Sequence, residues 1–194
     1  EQAGRSNCVG DIGSHIENTV AYMTGLEIDS LCANLDSFVE GRELDDNAEI
    51  MVKYTSGASG VFWCSQVAAG HDNGLRVRVF GSKGSIEWEQ ENPNYLTVTY
   101  LDQPKQILSR GRDELYTPNT DLPRLPAGHT EGYVVAFANL YSRFADALLA
   151  KKAGEALSEE EMDFPTAADG VSGVKFINLC VDSSEQGAKW LDFV

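Results

Sequence analysis

Between Glu49 and Ser109 the chain breaks into short β-patterned runs separated by glycine-bearing turns, and that rhythm restricts the fold more than any other feature. Glu49 to Tyr54 alternates, with Ile50, Val52 and Tyr54 on one side and Lys53 on the other. Gly57-Ala-Ser-Gly60 reads as a hairpin connection into Val61 to Ala68. Leu75, Val77 and Val79 alternate with Arg76 and Arg78, and Gly81-Ser-Lys-Gly84 then turns the chain into Ser85 to Glu91. Tyr95 to Leu101 and the shorter Gln106 to Ser109 continue the series, and Ile28 to Val39 precedes it. Consecutive strands joined by tight turns pair antiparallel.

Helical patterns flank this region. Residues 11–24 read as a helix with Ile12, Ile16, Val20 and Met23 in one apolar stripe; Asp11, His15, Asn18 and Tyr22 share another face. Gly25 ends it. A second helix is predicted from about Thr130 to Lys152, with Phe137, Leu140, Tyr141, Phe144 and Leu148 at helical spacing. A third begins after Pro165, where Thr166 and Asp169 match a capping box, and its stripe is Val174, Ile177 and Val181. A last short strand around Trp190 to Phe193 returns to the sheet. Gly111 to Gly128, punctuated by Pro118, Pro123 and Pro126, has no period and reads as an irregular excursion near the active site. The expected class is α+β: one open, predominantly antiparallel (mixed) β-sheet with helices packed on one face.

Composition narrows the function classes. Thirty acidic residues against 15 basic ones give a net charge of −15, which repels nucleic acid and anionic lipid; neither is an expected partner. No run approaches the roughly 18 apolar residues of a membrane span, and no signal-peptide pattern is visible. Cys8, Cys32, Cys64 and Cys180 lack metal-ligand spacing. Cys32, Cys64 and Cys180 lie in apolar runs, as buried thiols do, which fits a reducing, cytoplasmic setting.

The chemistry-bearing candidates start with Asp11 and His15. Removing hydride from an alcohol carbon needs a base for the hydroxyl proton, and histidine titrates in the right range. A carboxylate one turn earlier can orient the imidazole or hold a substrate hydroxyl. Gly13 keeps that face low enough for a ligand to approach the backbone. The same spacing also suits a plain helix N-terminus, with Asp11 as cap and His15 on the surface, and spacing alone favours that reading. A divalent-metal reading would need further ligands from His71, His129 or a carboxylate, and none is local. The glycine pairs at 57–60 and 81–84 match neither GxGxxG nor a phosphate loop, so the chain carries no dinucleotide fingerprint. Gly70-His71-Asp72-Asn73-Gly74 reads as a turn. His129, in Gly128-His-Thr-Glu-Gly-Tyr133, precedes a helix N-terminus and is either a simple pre-helix residue or a substrate contact.

Several blocks, in order, carry a resemblance. Gly10-Asp-Ile-Gly-Ser-His15 resembles the D-x-G-x-H motif of the glucose–fructose oxidoreductase, inositol dehydrogenase and MocA (Gfo/Idh/MocA) family. Gln66-Val-Ala-Ala-Gly70, Gly81 to Trp88, Gln90 to Leu96 and Gly128 to Tyr133 resemble further blocks of one subgroup, and Phe164 to Gly170 resembles the entry to the family's last helix. The resemblance implies that residues 1–194 form a single C-terminal substrate-binding and oligomerisation domain of an NAD(P)-dependent oxidoreductase acting on a sugar, a cyclitol or a related polyol. It implies His15 as acid/base and Asp11 as the residue positioning the substrate hydroxyl or that histidine, with Asn18 and His129 as candidate substrate contacts. It implies a homo-oligomer formed through the sheet. NAD or NADP, and a catalytic lysine, would come from an N-terminal Rossmann domain absent from this chain, so the fragment alone is expected to bind no cofactor and to be inactive. Two rivals accompany this reading: an NAD-dependent glycoside hydrolase of the same family, and a non-catalytic binding or assembly module.

Overall fold

The computed structural model describes residues 4–112, 123–158 and 161–193. A π-helical turn (Val9–Gly13) runs into α1 (Ser14–Thr24), followed by strands β1 (Ile28–Asp36), β2 (Asn47–Tyr54), β3 (Ser59–Ser65) and β4 (Arg76–Phe80). Then come β5 (Gly84–Glu89), β6 (Tyr95–Tyr100), β7 (Gln106–Ser109), α2 (Tyr133–Ala153), α3 (Ala167–Glu185) and β8 (Leu191–Asp192). These elements fall into two compact units, Glu1–Asp72 with Pro165–Val194, and Asn73–Phe164.

In the first unit the alternation of β2 becomes a two-faced strand. Ala48, Ile50, Val52 and Tyr54 are buried, while Glu49, Met51 and Lys53 face out. β2 pairs antiparallel with β1 and β3, and β8 returns to pair antiparallel with the far side of β1, giving the order β3-β2-β1-β8. The buried face meets Val9, Phe176 and Cys180, with Ile12, Ile16, Val20 and Ile177 packed around them. The π-turn, α1 and α3 therefore cover one face of this sheet, and the α1 stripe lies where its spacing puts it. The capping box forms: the Thr166 backbone N–H and hydroxyl both donate to the Asp169 carboxylate at 2.7 Å. Gly25 closes α1 in the left-handed conformation (φ 65°), its N–H donating to the Ala21 carbonyl.

The face of α3 differs from its expected stripe. Phe176, Cys180, Val181 and Ser183 are buried and Val174 is exposed. Two serines explain the rotation. The β1 N–H groups of Ala33 and Leu35 lie beyond the reach of β8, which pairs only with Ser30 and Leu31. Ser183 Oγ accepts the Ala33 N–H at 2.8 Å and donates to the Lys189 carbonyl at 2.7 Å, and Ser184 Oγ accepts the Leu35 N–H at 3.0 Å. Satisfying buried backbone donors outweighs the placement of one valine.

The second unit holds its own antiparallel sheet, β4-β5-β6-β7. The α+β class and the open antiparallel pairing are those expected; the strands are shared between two four-stranded sheets rather than joined in one. Val77 is buried and its neighbours Arg76 and Arg78 are exposed, as their alternation predicts. Arg76 pairs with Glu89 across the strands at 2.9 Å and also with Glu87. At Gly84 any Cβ would run into the Thr99 carbonyl oxygen, so β5 and β6 approach as closely as they do only because that position is glycine. On α2 the spacing is helical, but Phe137, Tyr141, Phe144 and Leu148 stay largely exposed. Tyr133, Phe137 and Tyr141 stack along the helix, and Phe144 meets Phe164 edge-on at 5.6 Å. Much of the irregular Gly111–Gly128 excursion lies outside the described residues.

Candidate functional site

The helical segment that carries Asp11 and His15 starts upstream of both and is capped from a distance. Asp45, buried in the connection from β1 to β2, accepts the N–H groups of Asn7 at 2.8 Å and Val9 at 3.0 Å, and the Ser6 hydroxyl at 3.0 Å. Ser6 Oγ in turn accepts from the N–H groups of Val9 and Gly10. The first free N–H groups of the helix are thereby satisfied, which leaves no capping role for Asp11. Asp11 sits inside the π-helical turn, exposed, with its side chain free to act elsewhere. A π-turn widens the helix at one point and recurs at functional sites.

Gly13 does not open a path for a ligand. It is buried, and a Cβ there would lie 3.1 Å from Val9 Cγ1 and 3.4 Å from Cys64 Sγ. The missing side chain lets the π-turn press onto β3, which fixes Asp11 and His15 on the opposite, outward side. Beneath it, hydrogen bonding with Cys8 and then burial push the Cys64 thiol up, and burial pushes Cys180 up; both stay protonated packing groups.

Asp11 Oδ2 accepts from Gln66 Nε2 at 3.2 Å, and Gln66 Oε1 accepts from Asn7 Nδ2 at 2.5 Å. The carboxylate is thus aimed by a residue just past the end of β3, itself held by the residue that leads into the helix. His15, on the first turn of α1, is exposed, and its carbonyl accepts the Thr19 hydroxyl. Asn18 lies on the same helix, also exposed. The structure therefore places Asp11, His15 and Asn18 on one continuous helical segment of the first unit.

His129 belongs to the second unit. Its carbonyl accepts Arg110 Nη2 at 2.7 Å. Arg110 also holds Asn94 Oδ1 at 2.9 Å and pairs with Glu131 at 2.5 Å, and Glu131 accepts the N–H groups of Arg124 and Leu125. This network ties down the backbone around His129 and leaves its side chain exposed. His71 lies in the turn that its sequence predicts. Among the described residues, no group of three or more His, Cys, Asp or Glu side chains is arranged to hold a metal ion, and no helix is long and apolar enough to cross a membrane.

Asn7, Asp45 and Gln66 escape the sequence reading. Gln66 heads a quoted block, but nothing in its spacing links it to Asp11 across 55 residues. Ser6, three residues before Val9, carries a local capping signal that Asp45 does not.

An α+β domain whose first helix presents an outward carboxylate and imidazole is the class defined by this geometry. Residues 1–87 match the family model described as the GFO/IDH/MocA C-terminal domain, so the motif resemblance is borne out over this stretch. An uncharacterized oxidoreductase, YfiI, of Bacillus subtilis (strain 168) is 37% identical over 193 residues, covering 98% of this chain and 49% of that protein. An oxidoreductase from Sinorhizobium meliloti is 44% identical, with a TM-score of 0.88 over 95% of this chain and 52% of that one. An inositol dehydrogenase homolog from Azotobacter vinelandii, solved with NADH and myo-inositol, is 36% identical, with a TM-score of 0.91 over 98% of this chain and 51% of that one. The chain spans about half the length of the curated relatives it matches.

Proposed function

We propose that this chain is the substrate-binding half of an NAD(P)-dependent dehydrogenase acting on a sugar, a cyclitol or a related polyol. The observation that carries the reading is the outward Asp11–His15 segment, capped by Asp45 and aimed by Gln66, in a chain similar to an inositol dehydrogenase homolog complexed with NADH and myo-inositol. The described residues do not fit a dinucleotide: every strand pairing is antiparallel, so no βαβ unit offers a pyrophosphate cradle. The cofactor, held by the remainder of the protein, would supply the redox chemistry.

This chain's groups handle the substrate oxygen. His15 accepts the hydroxyl proton, and its exposure leaves it open to a bound polyol. Asp11 accepts a hydrogen bond from a substrate hydroxyl through the carboxylate positions that Gln66 leaves open. Asn18, farther along α1, offers a donor and an acceptor to a neighbouring hydroxyl. His129 is a second substrate contact. In the full-length protein, His15→Ala is expected to lower kcat/KM at least about a hundredfold while leaving NADH binding, followed by nicotinamide fluorescence, unchanged. A kcat/KM near wild type would sink the acid/base role.

The uncovered face of the first unit's sheet supports self-association. Met51, Val61 and Trp63 are 46%, 74% and 57% exposed on adjacent strands. A second copy seated on this face would bury them, and sedimentation of Val61→Glu and Trp63→Glu should then show loss of the dimer; wild-type chain that sediments as a monomer argues against it.

A further inference from the structure

The sheet-facing side of α1 holds a group that the proposed chemistry leaves unused. Glu17 is 8% exposed, at a helix position where the neighbouring pattern calls for an apolar side chain. Among the described residues its carboxyl has neither a hydrogen-bond nor an ion-pair partner; burial, then the nearby Asp169, push its pKa up. It lines a cavity of about 340 Å³ between α1, β1, β2 and α3, at the small end of the range for ligand sites. The Tyr54 hydroxyl lines the same cavity and likewise has no partner among the described residues; burial, then the charge of Glu17, push its pKa up to about 12.

Two polar side chains that line one cavity without a partner among the described residues leave a donor and several acceptor positions open to a ligand. The walls between them are apolar: Leu26, Ile28, Phe62 and Phe193. The charged groups lining the space are Glu17 from α1 and Glu27 at the entry to β1; Asp169 of α3 acts on Glu17 through its charge, and Lys175 of α3 holds its ammonium 5.1 Å from the Phe193 ring centroid. An anion would meet carboxylates. A neutral polyol would leave the charge of Glu17 uncompensated, and a divalent metal would lack its oxygen set. An ammonium brings a positive charge and three donors, and an attached hydrocarbon skeleton matches the walls.

We propose that this cavity is a binding site for a small primary ammonium with an apolar body. Its ammonium donates to the Glu17 carboxylate and the Tyr54 hydroxyl oxygen, and its skeleton packs on Leu26, Phe62 and Phe193. The site is separate from Asp11 and His15 and stands whether or not they are catalytic.

The test titrates the chain with cyclohexylammonium chloride, with cyclohexanol as the neutral isostere and with ammonium chloride, following amide NMR shifts. The ammonium compound is expected to produce saturable shifts confined to residues around Glu17, Leu26, Tyr54 and Phe193. Cyclohexanol and Glu17→Gln should each weaken binding at least about tenfold, and Tyr54→Phe by a few-fold. Because Glu17→Gln removes a buried charge, it should also melt no lower than wild type. Equal binding of cyclohexanol, undiminished binding by a folded Glu17→Gln, or no saturable shift in wild type would each overturn the proposal. If Glu17→Gln did not fold, the isostere pair and Tyr54→Phe would decide it.

Discussion

The first unit's sheet and the second's have equal numbers of strands and the same antiparallel pairing, yet their interiors differ sharply. In the first, β1, β2 and β3 bury Leu31, Ile50, Val52 and Phe62 against the π-turn and α3, and Phe176 is fully enclosed. In the second, Val77 and Ala150 are the apolar residues that reach burial among those described, and the aromatic stripe of α2 stacks on itself. Identical hydrogen-bonded architecture therefore does not imply comparable stability. What distinguishes the two is whether helices with apolar faces close over the sheet. The candidate acid/base pair is mounted on the enclosed unit, where a fixed geometry is affordable to a side chain that must wait for substrate.

The largest effect should come from the enclosed core. Phe176→Ala removes a fully buried ring that meets Phe62 at 6.2 Å and should cost about 3–5 kcal/mol in urea unfolding. A cost below about 1 kcal/mol would mean that the first unit is as loosely filled as the second. Gly84→Ala tests the opposite possibility, that the second unit has a tight point of its own. Backbone cannot yield as a side chain does, so a loss of about 1–3 kcal/mol is expected, read from the same unfolding curves.

Two of the buried carboxyls of the first unit sharpen the comparison through pH. Hydrogen bonds from the Phe38 N–H, then the Val39 N–H and Arg42, hold Asp46 below the usual carboxylate range. A depressed folded pKa stabilises at pH above the ordinary carboxylate value, and that contribution is lost as pH falls through the folded value. Glu17 runs the other way: its raised folded pKa penalises the fold at neutral pH, and the penalty fades as pH falls through that value. Thermal melts against pH should show Asp46→Asn losing stability on the neutral side and Glu17→Gln flattening the slope above the usual carboxylate range. The smallest effect belongs to α2. Phe137→Ala is expected to change stability by less than about 1 kcal/mol, and a larger loss would reveal burial of that stripe in the assembled protein.

Local chemistry accounts for what the chain's sequence made legible. The end of β2, the limits of β7, the Thr166–Asp169 cap, the Gly25 stop and the buried Cys64 and Cys180 each follow from a pattern contained within a few residues. Asp11 and His15 became more than a helix cap only through several blocks in order. What stayed hidden depends on partners far along the chain: Asp45 capping Val9, Gln66 aiming Asp11, and Ser183 rotating α3 to serve Ala33. The division of strands into two sheets was hidden for the same reason, since turn signals fix which neighbours pair but not where pairing stops.

The two α3 serine hydroxyls that accept from β1 have a consequence for how the chain behaves in company. A strand edge whose N–H groups point at solvent is a template on which another chain can add a strand. By occupying the Ala33 and Leu35 donors just where β8 ends, Ser183 and Ser184 withdraw that template. That stretch of β1 is thereby closed to edge-to-edge growth, an open-ended mode of association with no natural stopping point.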